Sequence, residues 1–261
     1  MDLGLAGRHY YITGISGGIG SAMVRALVAE GAFVHGCARG GDGLRRVAAS
    51  LPNTVAKLAV LDEVDVTHEK ELAASVTRAG TVAGRLDGVV ACAGTGVTGS
   101  ALSCPNEVWE QQFSVKVLGA LNLVRSALDW LTLADHPRLL IINGVTAHHP
   151  DSQMAAVSAS RAALANLGRS LAVDLAGRVS VLVVNLGAIL TERQRARWST
   201  LAPDQPFDEW VNHEVERREI LAGRFGDPDE VGANLAFLLS PLADYISGMS
   251  IDIAGGSRGR L

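Results

Sequence analysis

Thr13-Gly14-Ile15-Ser16-Gly17-Gly18-Ile19-Gly20 is a glycine-rich octet placed where the periodicity of the chain changes. Before it, His9-Tyr10-Tyr11-Ile12 is an apolar, aromatic run that predicts a short buried strand; after it, Ala, Met, Val and Leu recur at helical spacing over residues 21–29. Strand, glycine turn and helix, in that order, make a phosphate site. Gly14 permits a sharp turn and Gly18 leaves room for a diphosphate to approach the backbone. Gly20 lets the helix start close against the strand, with its unpaired N–H groups aimed at the phosphates. A second strand is expected at residues 33–37, followed by Ala38 and Arg39. A dinucleotide site often carries an acid here for the adenosine ribose. Arg39 cannot accept a hydrogen bond from ribose hydroxyls but can pair with a 2′-phosphate, so NADP(H) is favoured over NAD(H).

Further apolar, β-branched runs at 55–60, 86–91, 139–142, 179–184 and 249–253 alternate with helical patterns of ten or more residues. Parallel strands need crossovers, and strands covered by helices on both faces become apolar throughout. The chain therefore predicts an α/β fold: one doubly wound Rossmann domain over residues 1–261, built on a seven-stranded parallel sheet. A long helix over 105–130 carries Trp109, Phe113, Val117, Leu121 and Val124 as a stripe for core or subunit contact, with Lys116 snorkelling or exposed among them. A second, over 155–176, puts Leu164, Leu167, Leu171 and Leu175 on one face and Val157 with Arg161 on another. The charged, Trp-bearing segment 190–218, with helical pieces at 192–199 and 207–218, reads as an insertion that covers a site.

Composition narrows the function classes. The 261 residues are 48% hydrophobic, and no linker or low-complexity tract divides them, so one domain with a large core is expected. A net charge of −4 with scattered basic residues argues against a nucleic-acid partner. Cys37, Cys92 and Cys104 form no CxxC pair and no Cys/His ligand spacing, so neither a disulfide framework nor a metal site is expected. No signal-peptide pattern opens the chain and no apolar run approaches the ~20 residues of a membrane span, so a cytoplasmic protein without membrane partners is expected.

From Gly7 to Gly256 the chain resembles the short-chain dehydrogenase/reductase family. The resemblance rests on the TGxxxGIG turn at residues 13–20, Asp65-Val66 after the third strand and Ala93-Gly94 after the fourth. It continues with Asn143 to Thr146 after the fifth, Leu186-Gly187 with Thr191 after the sixth, and Gly223-Arg224-Phe225-Gly226-Asp227-Pro228 to Gly255-Gly256 near the end. It implies diphosphate contacts at Gly14, Ser16, Ile19 and Gly20 and an adenine pocket at Asp65 and Val66. It further implies a ribose and sheet floor at Ala93 and Gly94, and carboxamide partners at Ile189 and Thr191. Asp65 also suits a helix start, in Asp-Val-Thr-His-Glu. Pairing through the two long helices, as a homodimer or homotetramer, is implied as well.

The family's reaction centre is altered. Its acid/base tyrosine and helper lysine fall on Val157 and Arg161, its helix asparagine on Lys116, its Asn-Asn-Ala-Gly on Ala91-Cys92-Ala93-Gly94 and its serine on Thr146. A positioned acid contributes ~10²–10⁴-fold to hydride transfer onto a ketone. Val157 has no proton to give. Arg161 can bind ribose hydroxyls or an oxyanion but cannot relay a proton as lysine does. Lys116 and Arg161 are like charges in one neighbourhood, so one is expected to point away or a carboxylate to intervene. His148 and His149, on the loop expected to border the substrate pocket, titrate near neutral pH and are candidate donors; as exposed loop residues they need no function. Thr146 offers a hydroxyl for a carbonyl oxygen, and Asp151 and Gln153 either orient substrate or make the turn at Pro150-Asp151-Ser152.

Three functions fit these residues. The first is an atypical NADP(H)-dependent reductase or dehydrogenase of a small carbonyl or alcohol substrate, with its proton drawn from His148, His149, water or the substrate. The second is a catalytically silent subunit in a hetero-oligomer with an active paralogue. The third is a dehydratase, isomerase or cyclase that reuses the pocket. The complete set of nucleotide contacts favours the first.

Overall fold

The apolar runs form strands of one sheet because most of them offer hydrophobic residues to both faces. In the computed structural model, which describes residues 1–257, the strands are β1 (His9–Thr13), β2 (Phe33–Ala38), β3 (Ala59–Glu63), β4 (Gly88–Ala91), β5 (Arg138–Gly144), β6 (Ser180–Leu186) and β7 (Met249–Ile253). All pair in parallel, in the order β3-β2-β1-β4-β5-β6-β7. Along β1, Tyr10 and Ile12 enter one core while Tyr11 enters the other. The first core is closed by α1 (Gly18–Ala29), α2 (Gly41–Ser50) and α9 (Pro228–Leu239), the second by α3 (Glu69–Ala83), α5 (Gly119–Leu131) and α6 (Ala155–Asp174). This is the doubly wound Rossmann sheet that the alternation of runs predicts.

Two expected elements differ. The third strand lies at Ala59–Glu63 and not at 55–60, because residues 52–58 turn first: Ala56 N–H donates to Pro52 O and Leu58 N–H to Val55 O. As the edge strand, β3 tolerates Asp62 and Glu63 and leaves Val60 half exposed, so its apolar signal is weak. The helix expected over 105–130 is α4 (Asn106–Phe113) and α5 joined through a π-helical turn at Ser114–Leu118, which carries Lys116. Wider turns of this kind recur at functional sites. Lys116 itself is buried, 6% exposed, and not snorkelling. Between β6 and α9 stand α7 (Glu192–Leu201) and α8 (Phe207–Arg217), with a small core of their own around Trp210, Val215, Ile220 and Phe225.

Candidate functional site

The carboxyl ends of the strands open into a cleft of about 760 Å³, at the point between β1 and β4 where strand order reverses. Open α/β sheets bind ligands at this position. Thr13 clasps its base: Oγ1 accepts from Cys92 N–H at 3.1 Å and Ala93 N–H at 3.3 Å. Gly14, at φ 74°, lies directly on the chain after β4; a Cβ there would stand 2.7 Å from Ala93 Cα. At Gly18 a Cβ would stand 2.8 Å from Thr191 Cβ, and at Gly20 it would overlap the Gly14 carbonyl. The cradle therefore has no spare room for side chains. α1 starts with neither a side-chain cap nor an acid in its first turn, so its positive end faces the cleft uncompensated.

Every residue expected at the nucleotide lines this cleft: Gly14, Ser16, Gly18, Ile19 and Gly20, then Arg39, Asp65, Val66, Ala93, Gly94, Arg161, Ile189 and Thr191. Asp65 is no helix cap, since α3 begins at Glu69. Its Oδ1 accepts from Thr67 N–H at 2.9 Å and Thr67 Oγ1–H at 2.8 Å. Partial burial opposes its ionisation, but these bonds and the charges of Arg39 and His68 hold its pKa below the usual value. Arg39 and Arg46 are both exposed along the same wall.

The altered reaction centre also assembles. Lys116 and Arg161 both line the cleft, and Lys116 Nζ donates to Thr95 O at 2.9 Å and to the buried Gln112 Oε1. Neither cation turns out of the cleft, and no carboxylate lies within salt-bridge distance of Lys116 or Arg161 among the described residues. The expected relief by a carboxylate or by reorientation is therefore not seen. Burial first, then the charges of Arg161 and Arg193, lower the Lys116 pKa to about 7. Arg161 Nη1 donates to Thr146 Oγ1 at 2.8 Å, and Asn143 Nδ2 donates to the Arg161 carbonyl at 3.1 Å. Val157 is fully buried and does not line the cleft.

His148 and His149 are exposed and do not line it either, although Thr146 and Asp151 on the same loop do. His148 Nε2 lies 3.0 Å from Asn185 Nδ2, a side-chain contact that tethers the loop after β5 to β6. Asp151 lines the cleft; Gln153 is exposed, and its N–H donates to Asp151 Oδ1 at 2.9 Å, the turn bond.

Segment 190–218 lines the cleft through Leu190's neighbours Thr191 to Gln194, Arg197 and Arg218. Arg193 Nη2 reaches across the cleft from α7 and donates to Gly94 O at 2.8 Å, on the turn after β4. Glu214 on α8 collects three guanidiniums: Arg217 Nε at 2.8 Å, Arg218 Nη2 at 2.7 Å and Arg197 Nη1 at 3.2 Å. Burial opposes ionisation of Glu214, but Arg217 and Arg218 outweigh it and bring its pKa to about 2. Immediately after Arg218, Glu219 holds φ 51°, a strained conformation for a side chain of its size. Sequence reasoning missed Arg193, Arg197, Arg218 and Gly144. The i, i+4 spacing of Arg193 and Arg197 marked one helix face, but only the fold shows that this face looks into the cleft.

A family model described as enoyl-(acyl carrier protein) reductase matches residues 14–258. The chain is 30% identical to 2,3-dihydro-2,3-dihydroxybenzoate dehydrogenase of Escherichia coli (strain K12), over 97% of each protein. Among solved structures it is similar to L-sorbose reductase from Gluconobacter frateurii, complexed with NADPH and L-sorbose, with a TM-score of 0.94 at 26% identity over 100% of both chains. It is also similar to a short chain oxidoreductase of Pseudomonas aeruginosa PAO1 containing an atypical catalytic center, with a TM-score of 0.91 at 29% identity over 100% of both.

Proposed function

The chain belongs to the short-chain dehydrogenase/reductase family, and on that premise we propose that it is an NADP(H)-dependent oxidoreductase that interconverts a carbonyl and an alcohol, with Lys116 supplying the proton. The cofactor reading is supported by the fit of the cradle. A side chain at Gly14 or Gly20 would overlap backbone, and the end of α1 has no internal partner for its N–H groups. Ser16, Gly18, Ile19 and Gly20 would hold the diphosphate, Asp65 and Val66 the adenine, Ala93, Gly94 and Arg161 the nicotinamide ribose, and Ile189 and Thr191 the carboxamide. Arg39 is the partner for a 2′-phosphate. NADPH-bound solved relatives, L-sorbose reductase and the Pseudomonas oxidoreductase, add weight to that preference. When bound, the cofactor supplies or accepts the hydride.

The remaining work falls to this chain's own residues. Arg161 Nη1 donates to Thr146 Oγ1 and so leaves the threonine hydroxyl proton free to bond the substrate oxygen. Thr146, with the fixed charge of Arg161, would stabilise negative charge developing on that oxygen. Lys116, nearly buried in the same cleft, delivers the proton and takes it back in the reverse direction. The observation that carries this assignment is its placement: an amine buried on a π-helical turn in the same cleft as Arg161, with no carboxylate partner among the described residues and a pKa lowered to about 7 by burial and the charges of Arg161 and Arg193. The lid of α7 and α8 covers the substrate. A homodimer or homotetramer through α4, α5 and α6 is supported by half-exposed Phe113 and Leu118 on the first helix. The test is oxidation of NADPH, followed by its absorbance, against a panel of aldehydes, ketones and oxo acids; Lys116→Met is expected to bind NADPH normally and to lose ~10²–10⁴-fold in turnover.

A further inference from the structure

Four guanidiniums, those of Arg161, Arg193, Arg197 and Arg218, line one end of the cleft in a chain whose net charge is −4. Their neutralisation is incomplete. Glu214 serves Arg197, Arg217 and Arg218 together, and Asp151 lies 3.9 Å from Arg217. Arg161 and Arg193 have no carboxylate partner among the described residues, and Arg193 is held only by the Gly94 carbonyl. Arg197 Nε is buried without a hydrogen-bond partner. A buried donor left unpaired costs free energy, and a cluster of like charges adds to that cost. An anion seated between them removes both penalties.

We infer that the substrate is a carboxylate-bearing carbonyl or hydroxy compound, its carboxylate gripped by Arg218 and Arg197 while the reacting carbon faces Thr146. This rests on the proposed oxidoreductase reading and names the substrate class of that same site. Planar guanidinium forks match carboxylates in two-point hydrogen bonds, which fixes orientation as well as charge. Arg161 bridges the two halves of the site: Nη1 is on Thr146, and the charges of Arg193 and Arg218 are near enough to lower its pKa to about 10, after burial. The diphosphate has its own place on α1, at the glycine turn, so the lid arginines answer to a second anion.

The experiment is a thermal-shift and binding titration of the whole chain with benzoate, benzamide and inorganic phosphate, each with and without saturating NADPH. Benzoate is expected to bind at least tenfold more tightly than its neutral isostere and than phosphate. Arg218→Met, and independently Arg197→Met, are expected to abolish that preference while the NADPH Kd stays within twofold. Equal binding of benzoate and benzamide overturns the inference, as does a phosphate preference or a loss of NADPH affinity in both arginine variants. Failure of NADPH to bind wild type overturns the cofactor reading instead, and the arms without NADPH still report on the carboxylate.

Discussion

Arg161 Nη1 lies 2.8 Å from Thr146 Oγ1, and the same guanidinium fills the space in front of Gly144, where a Cβ would stand 2.6 Å from its Cζ. The end of β5 and the first turns of α6 are thus fitted to an arginine. A lysine, with one nitrogen at the end of a flexible stem, offers no planar group to fill that space. Val157, where the resemblance implies a tyrosine, is buried away from the cleft, and the cleft holds the Thr146 hydroxyl, the Arg161 guanidinium and the Lys116 amine.

The Gly144 contact makes the first prediction. Gly144→Ala forces the Arg161 guanidinium away from Thr146, an overpacking that costs about 1–3 kcal/mol. Chemical denaturation is expected to show that loss, and NADPH-dependent turnover is expected to fall with it. An unchanged denaturation midpoint with normal turnover would show that Arg161 is not fitted to the glycine.

Arg161→Lys keeps the charge and loses the planar fork. A hydrogen bond to a charged group is worth about 1.5–3 kcal/mol, which is roughly 10- to 150-fold in rate. A lysine can still donate to the ribose hydroxyls, so the loss is expected in kcat with KM for NADPH changing little, and steady-state kinetics separate the two. A lysine variant as fast as wild type rules out the oxyanion role of the guanidinium.

Lys116 makes stability depend on pH with a definite sign. Its pKa is about 7 in the folded chain against the ordinary 10.5, so between those values the unfolded state binds more protons and stability rises with pH. The Tm of wild type relative to Lys116→Met is therefore expected to climb from pH 7 to pH 10. Parallel Tm curves over that range contradict the burial of an uncharged amine.

Gly18→Ala brings a methyl group against Thr191, across the entrance that the diphosphate uses. NADPH affinity is expected to drop at least tenfold by fluorescence titration, and Thr191→Ser, which removes the obstructing Cγ2, is expected to restore part of it. At the other end of the nucleotide, Arg39→Asp is expected to shift preference from NADPH toward NADH. An unaltered ratio of the two Kd values excludes Arg39 as the 2′-phosphate partner.

Much of this fold is legible in the order of residues, because helix-covered parallel strands and a glycine turn each leave a pattern that needs no tertiary information. β7 matches its apolar run from end to end. β3 does not, since residues 52–58 turn before it and its own Asp62 and Glu63 interrupt the apolar run. The residues expected at the nucleotide reach the cleft because most of them sit on the short turns after strands, where chain order dictates position. The residues proposed for the reaction are less legible. Lys116 reads as a surface lysine in a helical stripe, and only the π-turn and the packing of Gln112 turn it inward. His148 and His149 attract attention by chemistry alone, and their side chains do not line the cleft that Thr146 and Asp151 of the same loop do. The lid arginines depend on how α7 and α8 fold back, which no local pattern specifies.

The central claim is that Lys116 is the proton donor, and the pH profile of NADPH-dependent carbonyl reduction tests it most directly. For wild type, kcat is predicted to fall about tenfold per pH unit above pH 7, as the ammonium is lost, with the opposite slope for alcohol oxidation; for Lys116→Met it is predicted to be flat and ~10²–10⁴-fold lower. A Lys116→Met enzyme with wild-type kcat and an unchanged profile would contradict the account.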